Sequence, residues 1–351
     1  MNFANFFRLS RRACCVGSSI SLLVLCLALS TPLSANESAT WPYTVQRGDT
    51  LHSIAAQYLG NKNNWRQIGK TNKLKNPNRI EPNAVLRIPM HLLKQEAVAA
   101  TIAFVEGRAE LRAQGAAPGQ TLSKGDKIRE GNQIQTSANA SATVDFVDGS
   151  QLVILRDTIV SFTKLQGRSD AKIASIQIDL KQGRVETRVT PRKNKKSIYE
   201  IITPTVQIGV RGTEFRVNAE EESLTRTEVL EGIVAAENPL GSQSVPKGFG
   251  TLVEKDKAPL PPIALLPAPT VPTLLVTPTL ITAHWTTLLN ATKYRLLIAA
   301  NQSFSQRVGE YLTPRQEVQL SPLPAGRYYL RLRGIDSNGL EGRASERFVD
   351  F

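Results

Sequence analysis

The chain has 351 residues, a formal net charge of +13 from 43 Lys and Arg against 30 Asp and Glu, and 3 cysteines. Cys14, Cys15 and Cys26 all precede Ala35, so the chain beyond it excludes disulfides, thiolate metal sites and a cysteine nucleophile. A basic balance of this size either draws a protein to anionic polymers or serves solubility.

Residues 1–35 read as an export signal. Arg8, Arg11 and Arg12 form a basic region, Ile20 to Leu29 is an apolar run, Pro32 breaks it, and Ala35 is the expected last residue before cleavage. A membrane span needs roughly twenty apolar residues, so the run is short for one. A retained, uncleaved signal is the alternative, and it would be the only membrane contact. Ser10-Arg11-Arg12 begins like a twin-arginine signal, but Ala13-Cys14-Cys15 replaces the expected apolar residues. Leu25 is large for the position before a lipidated Cys26. An exported chain does not normally meet nucleic acid, which leaves wall glycans, lipopolysaccharide or a membrane surface as anionic partners.

Tyr43 to Val45 reads as a strand, and Asp49 as the N-cap of the helix that follows. Leu51, Ile54, Ala55, Tyr58 and Leu59 fall on one helical face, and Gly60 ends it. Asn64 is expected to cap a second helix with Trp65 and Ile68 inward. Pro77 and Pro82 flank an irregular loop, and Val85, Leu86 and Ile88 form a closing strand. The order is β-α-α-β.

With Gly48-Asp49-Thr50-Leu51 and the run Asn72 to Ile80, this segment resembles a LysM (lysin motif) domain over 42–93. The resemblance implies binding of N-acetylglucosamine-containing glycans, peptidoglycan or a chitin-like polymer, in a shallow groove between the first strand–helix loop and the second helix–strand loop. The residues it implies for that groove are Gly48, Asp49, Thr50, Leu51, Leu74, Asn76, Pro77, Asn78 and Ile80. Gly48 permits close backbone approach, Leu51, Leu74 and Ile80 offer apolar cover, and Pro77 fixes the loop. The same residues also cap helices and fill a small core. Pro82-Asn83 stands where the family usually has Pro-Gly; Asn tolerates the left-handed conformation that turn needs.

From Thr101 the texture changes to short strands divided by glycine turns, which indicates an all-β sandwich, roll or solenoid over 101–257. Leu122 to Ile128, Val144 to Ser150 and especially Thr203 to Phe215 resemble the FecR domain, which implies a periplasmic module that helps pass a signal to a sigma factor. About sixteen residues precede the apolar run, too few for the cytoplasmic arm that role requires. The domain is therefore carried over as a β-rich interaction or scaffold module, without the signalling role. Asp126, Asp145 and Asp148 invite a calcium reading, but Gly125 and Gly149 beside two of them point to turn chemistry. Gly209 to Thr213 lacks the lysine of a P-loop; its glycines suit a bend, with Arg211 and Glu214 as a pair that is either buried or exposed. Lys181, Arg184, Arg188, Arg192, Lys193, Lys195 and Lys196 form the densest basic run, a solvated hairpin tip or an attachment point for an acidic polymer.

Residues 258–272, rich in proline, read as an extended linker. Beyond it, Trp285, Tyr294, Leu296, Tyr328 and Leu330 lie in a pattern that resembles a fibronectin type III-like sandwich over 273–351, with Trp285 and Tyr328 as core. The expected fold class is mainly β and multidomain: a small α+β (βααβ) module, an all-β domain, then a small β-sandwich.

His52, His91 and His284 sit in no HExxH, GxSxG or cysteine–histidine arrangement. The expectation is a non-enzymatic protein with no cofactor and no metal, exported to the periplasm of a Gram-negative bacterium and held at the cell wall. Its β-domains would serve as a scaffold or hold an envelope protein partner. The alternatives are a FecR-type envelope sensor and a wall-active hydrolase using a carboxylate pair.

Overall fold

The computed structural model describes residues 40–350 apart from 114–118, 169, 171, 192–197, 211, 277–280 and 322. The expected export signal, Arg211 and the basic residues 192–196 lie outside the described residues. Among those described, no helix is long and apolar enough to cross a membrane.

Strand β1 (Thr40–Thr44) pairs antiparallel with β2 (Val85–Pro89), Tyr43 opposite Leu86. Helices α1 (Leu51–Leu59) and α2 (Trp65–Thr71) lie between them in sequence. Leu51, Ile54, Ala55 and Leu59 of α1 and Ile68 of α2 close one core with Val45, Leu86 and Ile88. That is the β-α-α-β order read from the periodicity. Two caps differ from expectation. Thr50, not Asp49, caps α1: Ser53 N donates to Thr50 Oγ1 at 3.0 Å and Thr50 N to Ser53 Oγ at 2.9 Å, a reciprocal capping box. Asn64 precedes α2 but its side chain caps nothing, because a 3-10 turn at Lys62–Asn64 runs into the helix. Asn61 caps that turn instead, accepting from Asn63 N at 2.9 Å.

The central body consists of two sheets that share the 16-residue strand Ile173–Arg188. Its first part pairs with Ile159–Arg168 and, in parallel, with Tyr199–Ile202. Its last part pairs with Gln151–Ile154 and Glu214–Glu220 in the second sheet. The two alternating runs of the sequence, Ile176 to Leu180 and Val185 to Val189, are thus largely one strand. It passes between sheets at Gly183 (φ +96), where a Cβ would come within 2.5 Å of Thr158 Cα, so only glycine fits. Beyond that point the pleat sends Val185, Thr187 and Val189 into a core with Phe162, Tyr199 and Phe215, and leaves Arg184 and Glu186 on the opposite face.

The C-terminal part packs a three-stranded sheet (Thr273–Val276, Ile281–His284, Glu317–Leu320) on a four-stranded one (Arg307–Thr313, Lys293–Ala299, Arg327–Ile335, Glu341–Asp350), among the described residues. Trp285, Tyr294, Leu296, Ile298, Tyr328 and Leu330 form its core. Tyr294 through Ala299 are buried without alternation. A sheet with one wet face would alternate; here the second face lies against the central body.

Much of that contact is ionic. On the second sheet Glu186 stands opposite Arg216, and Arg216 opposite Glu228. Arg333 Nη1 reaches Glu186 Oε1 at 2.6 Å and Glu341 Oε2 at 3.2 Å. Arg184 Nη2 and Arg295 Nε each donate to Glu341 Oε1 at 2.6 Å, and Arg307 also pairs with Glu186. Burial alone would raise the Glu186 and Glu341 carboxyls, but the surrounding arginines hold both well below the ordinary carboxylate value. Thr143 Oγ1 donates to Ser305 O at 2.5 Å, and Arg226 Nε to Asn338 O at 2.6 Å.

The proline-rich stretch expected as a linker is extended but seated. Ile263–Ala264 pairs with Phe249 and Gly250, and Leu265 packs with Leu252 and Leu340.

Candidate functional site

The site proposed from the sequence sits on the β1–α1 and α2–β2 loops. In the first, Gln46 O accepts from Asp49 N at 3.1 Å, and Asp49 Oδ2 accepts from Gln46 N and from the Tyr43 hydroxyl, each at 2.7 Å. Asp49 therefore braces the turn, while Thr50 caps the helix. Burial first, then the bond to Asp49, pushes the Tyr43 phenol well above its ordinary value, so it stays a neutral donor. Gly48 (φ +93) is exposed at the tip, and a Cβ built there would meet nothing within 4 Å. A ligand can approach its backbone closely.

The second loop is held by its own amides. Asn76 Oδ1 accepts from Asn78 N at 3.0 Å and Asn76 O from Arg79 N at 3.2 Å, an Asx turn across Pro77. Leu74 N donates to Gly69 O at 3.1 Å. Asn83 takes the left-handed conformation (φ +69) expected of it, and its N donates to Val45 O at 2.8 Å.

Leu51 joins the loops, although not as apolar cover. Its side chain is 2% exposed and lies beside Gly69, whose carbonyl holds Leu74. This corrects the expectation that Leu51 lines a groove: it is core, and only its backbone lies at the loop. Leu74 and Ile80 are half-buried and pack against the same core, so each has one edge left for a ligand. Gly48, Thr50, Asn76 and Asn78 are exposed, and Asp49 and Pro77 half-buried. The two loops thus offer amides and carbonyls beside two aliphatic edges, chemistry that suits an acetamido sugar: peptide groups for its N-acetyl dipole, Leu74 and Ile80 for its methyl.

Sequence reasoning gave Asn72 no role, yet its side chain completes β2. Asn72 Nδ2 donates to Arg87 O at 2.9 Å, and Arg87 N donates to Asn72 Oδ1 at 2.7 Å. The amide thus pairs with β2 as a neighbouring strand would. Trp65 also exceeds its expected core role: His52 stacks on it at 5.0 Å and the Arg66 guanidinium lies 5.2 Å from its ring centre. On another face, Trp41 and Tyr58 stack at 5.2 Å, and the Arg168 guanidinium of the central body lies 5.0 Å from the Tyr58 ring.

Of the aspartates considered for calcium, Asp148 and Asp126 brace turns and Asp145 holds a residue across its strand pair. Asp148 Oδ1 accepts from Ser150 N at 3.0 Å, Asp126 Oδ2 from Ser123 N at 2.8 Å, and Asp145 Oδ1 from Gln151 Nε2 at 2.8 Å. Among the described residues no group of three or more His, Cys, Asp or Glu is placed to hold a metal. His284 Nδ1 faces Glu317 at 3.5 Å on the C-terminal sandwich.

Comparison with known families agrees with the first two resemblances. Residues 43–89 match the LysM domain, and residues 132–235 match the FecR protein family. Both are binding or signalling families, typically envelope-associated. The chain is 45% identical over 62 residues to the potassium binding protein Kbp of Escherichia coli, which is 17% of this chain and 39% of that protein. It is 43% identical over 47 residues to an uncharacterized protein of Deinococcus radiodurans, 13% of this chain and 19% of that one. It thus spans well under half the length of either relative. Similar solved structures include a putative anti-sigma factor from Parabacteroides distasonis (17% identity, TM-score 0.31, 38% of this chain and 59% of that one). They also include the sixth fibronectin type III domain of human fibronectin type III domain containing protein 3 (19% identity, TM-score 0.22, 25% and 87%).

Proposed function

We propose that this is a non-enzymatic envelope protein that holds an N-acetylglucosamine-containing glycan, peptidoglycan above all, between its β1–α1 and α2–β2 loops. The observation that carries the reading is the LysM match over 43–89 together with the open backbone at Gly48. The residues that touch the sugar are Gly48, Asp49 and Thr50 on one side and Leu74, Asn76, Pro77, Asn78 and Ile80 on the other, with Leu51 supporting both from beneath. A groove this small and open binds weakly. The central body and the sandwich act as a scaffold, and the protein works in the periplasm after export.

The test is sedimentation of the full chain with insoluble peptidoglycan, competed by soluble chitin oligomers. Wild type is expected to pellet and to be released by the oligomers; Asn76→Ala, which removes the Asx turn, is expected to stay largely in solution. Failure of wild type to pellet, or pelleting that the oligomers leave unchanged, would refute the reading. Dye release from purified sacculi separates it from wall hydrolysis: release of dye favours the hydrolase. The FecR match over 132–235 supports a second reading, an envelope sensor whose β-body answers to a partner.

A further inference from the structure

We propose that the cleft between the central body and the C-terminal sandwich is a binding site for a small carboxylate carried on an apolar stem. A cavity of about 280 Å³ opens there, with Arg216, Arg331, Arg333, Arg343 and Lys247 around it and Glu214 and Glu346 as its acidic groups. Both acids already have partners: Arg188 at 3.3 Å from Glu214 and Arg331 at 2.7 Å from Glu346. Arg343 is exposed at the rim and makes no ion pair among the described residues.

The arginines are also short of acceptors. Arg216 and Arg333 are nearly inaccessible, at 3% and 1% exposed, yet Arg216 Nη1 and Arg333 Nε have no hydrogen-bond partner. Arg307 Nη1, at the adjoining end of the cleft, has none either. Arg216 Nη1 and Arg333 Nε are enclosed, and Arg216 Nη1 lies 3.9 Å from Glu341 Oε2, so they act on an occupant of the cavity as positive charge behind its wall, and a carboxylate is the group that answers such charge. Burial first, then the neighbouring Arg333, pushes the Arg331 guanidinium down to about 10 although Glu346 pairs with it. Val229, Leu230 and Leu265 form an apolar wall, and this wall together with the volume selects a carboxylate with a short aliphatic stem over a bare inorganic anion. The sugar-binding loops take no part in this site.

Titration calorimetry of the full chain with N-acetyl-leucine, N-acetyl-leucinamide, glycylglycylleucine and inorganic phosphate tests the proposal. Saturable binding of either acid, without comparable binding of the amide or of phosphate, is the expected result. Which acid binds tells whether the carboxylate is taken free or at the end of a peptide. Arg343→Ala, on the exposed rim, should weaken the acid about tenfold, the loss of one charge-assisted contact, and Lys247→Ala, whose ammonium already pairs with Glu231, should weaken it by less. Equal binding of acid and amide, no binding of either acid, or full affinity in both variants would overturn it.

Discussion

Arg333 Nη1 lies 2.6 Å from Glu186 Oε1, and with that bond the sandwich is pinned to the strand that both sheets of the central body share. Arg333 is 1% exposed. Taking the charge from Glu186 leaves Arg333 with Glu341 as its carboxylate partner, an incompletely balanced cation in an enclosed place. Glu186→Gln, which also takes a partner from Arg307, should lower stability by about 3–5 kcal/mol, read by chemical denaturation of the full chain.

The same network fixes a pH response. Glu186, Glu310 and Glu341 are held below their ordinary values against the opposing effect of burial, by the arginines around them. A depressed folded value gives stability that is present above the unfolded value, near about 4.3 for glutamate, and lost as pH falls toward the folded one. Glu228 has the opposite sign, raised by burial and by Glu341 although Arg216 opposes, and offsets part of the loss. The thermal midpoint should therefore fall progressively as pH drops below about 4.3, more so than in Glu186→Gln, where one of the three groups is gone.

Gly183→Ala tests the passage between sheets. The added methyl meets Thr158 and the Asp157 carbonyl at 2.3 to 2.7 Å, at φ +96. The expected cost exceeds about 1 kcal/mol, since both backbone strain and steric overlap act. Hydrogen exchange should report it along Val185–Arg188, where the strand joins the second sheet.

Asn72→Ala removes the side-chain pairing of Arg87 in β2. A loss of about 1 kcal/mol is expected, with faster amide exchange at Arg87 and weaker binding of chitin oligomers, because the α2–β2 loop begins at that asparagine. Thr50→Ala should cost the module a further ~1 kcal/mol through its helix cap.

Much of the first module was legible because its periodicity is clean. Leu51, Ile54, Ala55 and Leu59 sit where a 3.6-residue repeat puts them, and Gly60 ends the helix in the left-handed conformation. The cap was misread because Asp49 and Thr50 are both good N-cap residues, and Ser53 is not the Glu or Gln that marks a capping box. Leu51 was assigned to the groove because pattern alone cannot say whether an apolar residue beside a loop faces a ligand or the core. In the central body Gly125 and Gly149 sit in turns as the pattern suggests, but Gly209 lies inside a strand and not at a bend, and Gly183 lets a single strand continue. Arg295, Arg331 and Arg333 alternate with apolar residues as solvent-facing charges do. Only the three-dimensional pairing of Arg333 with Glu186, and of Arg295 and Arg333 with Glu341, shows that these two arginines are enclosed, and Glu186 lies on a segment far from them in sequence.

The strand Ile173–Arg188 begins beside Ile159–Arg168, whose last arginine touches Tyr58 of the first module, and ends in Arg184 and Glu186, which grip the sandwich. Tension applied at a polymer caught by the first module and resisted at the far end of the chain would be shared by that segment, loading its ladder in shear along the strand instead of peeling the layers apart one bond at a time.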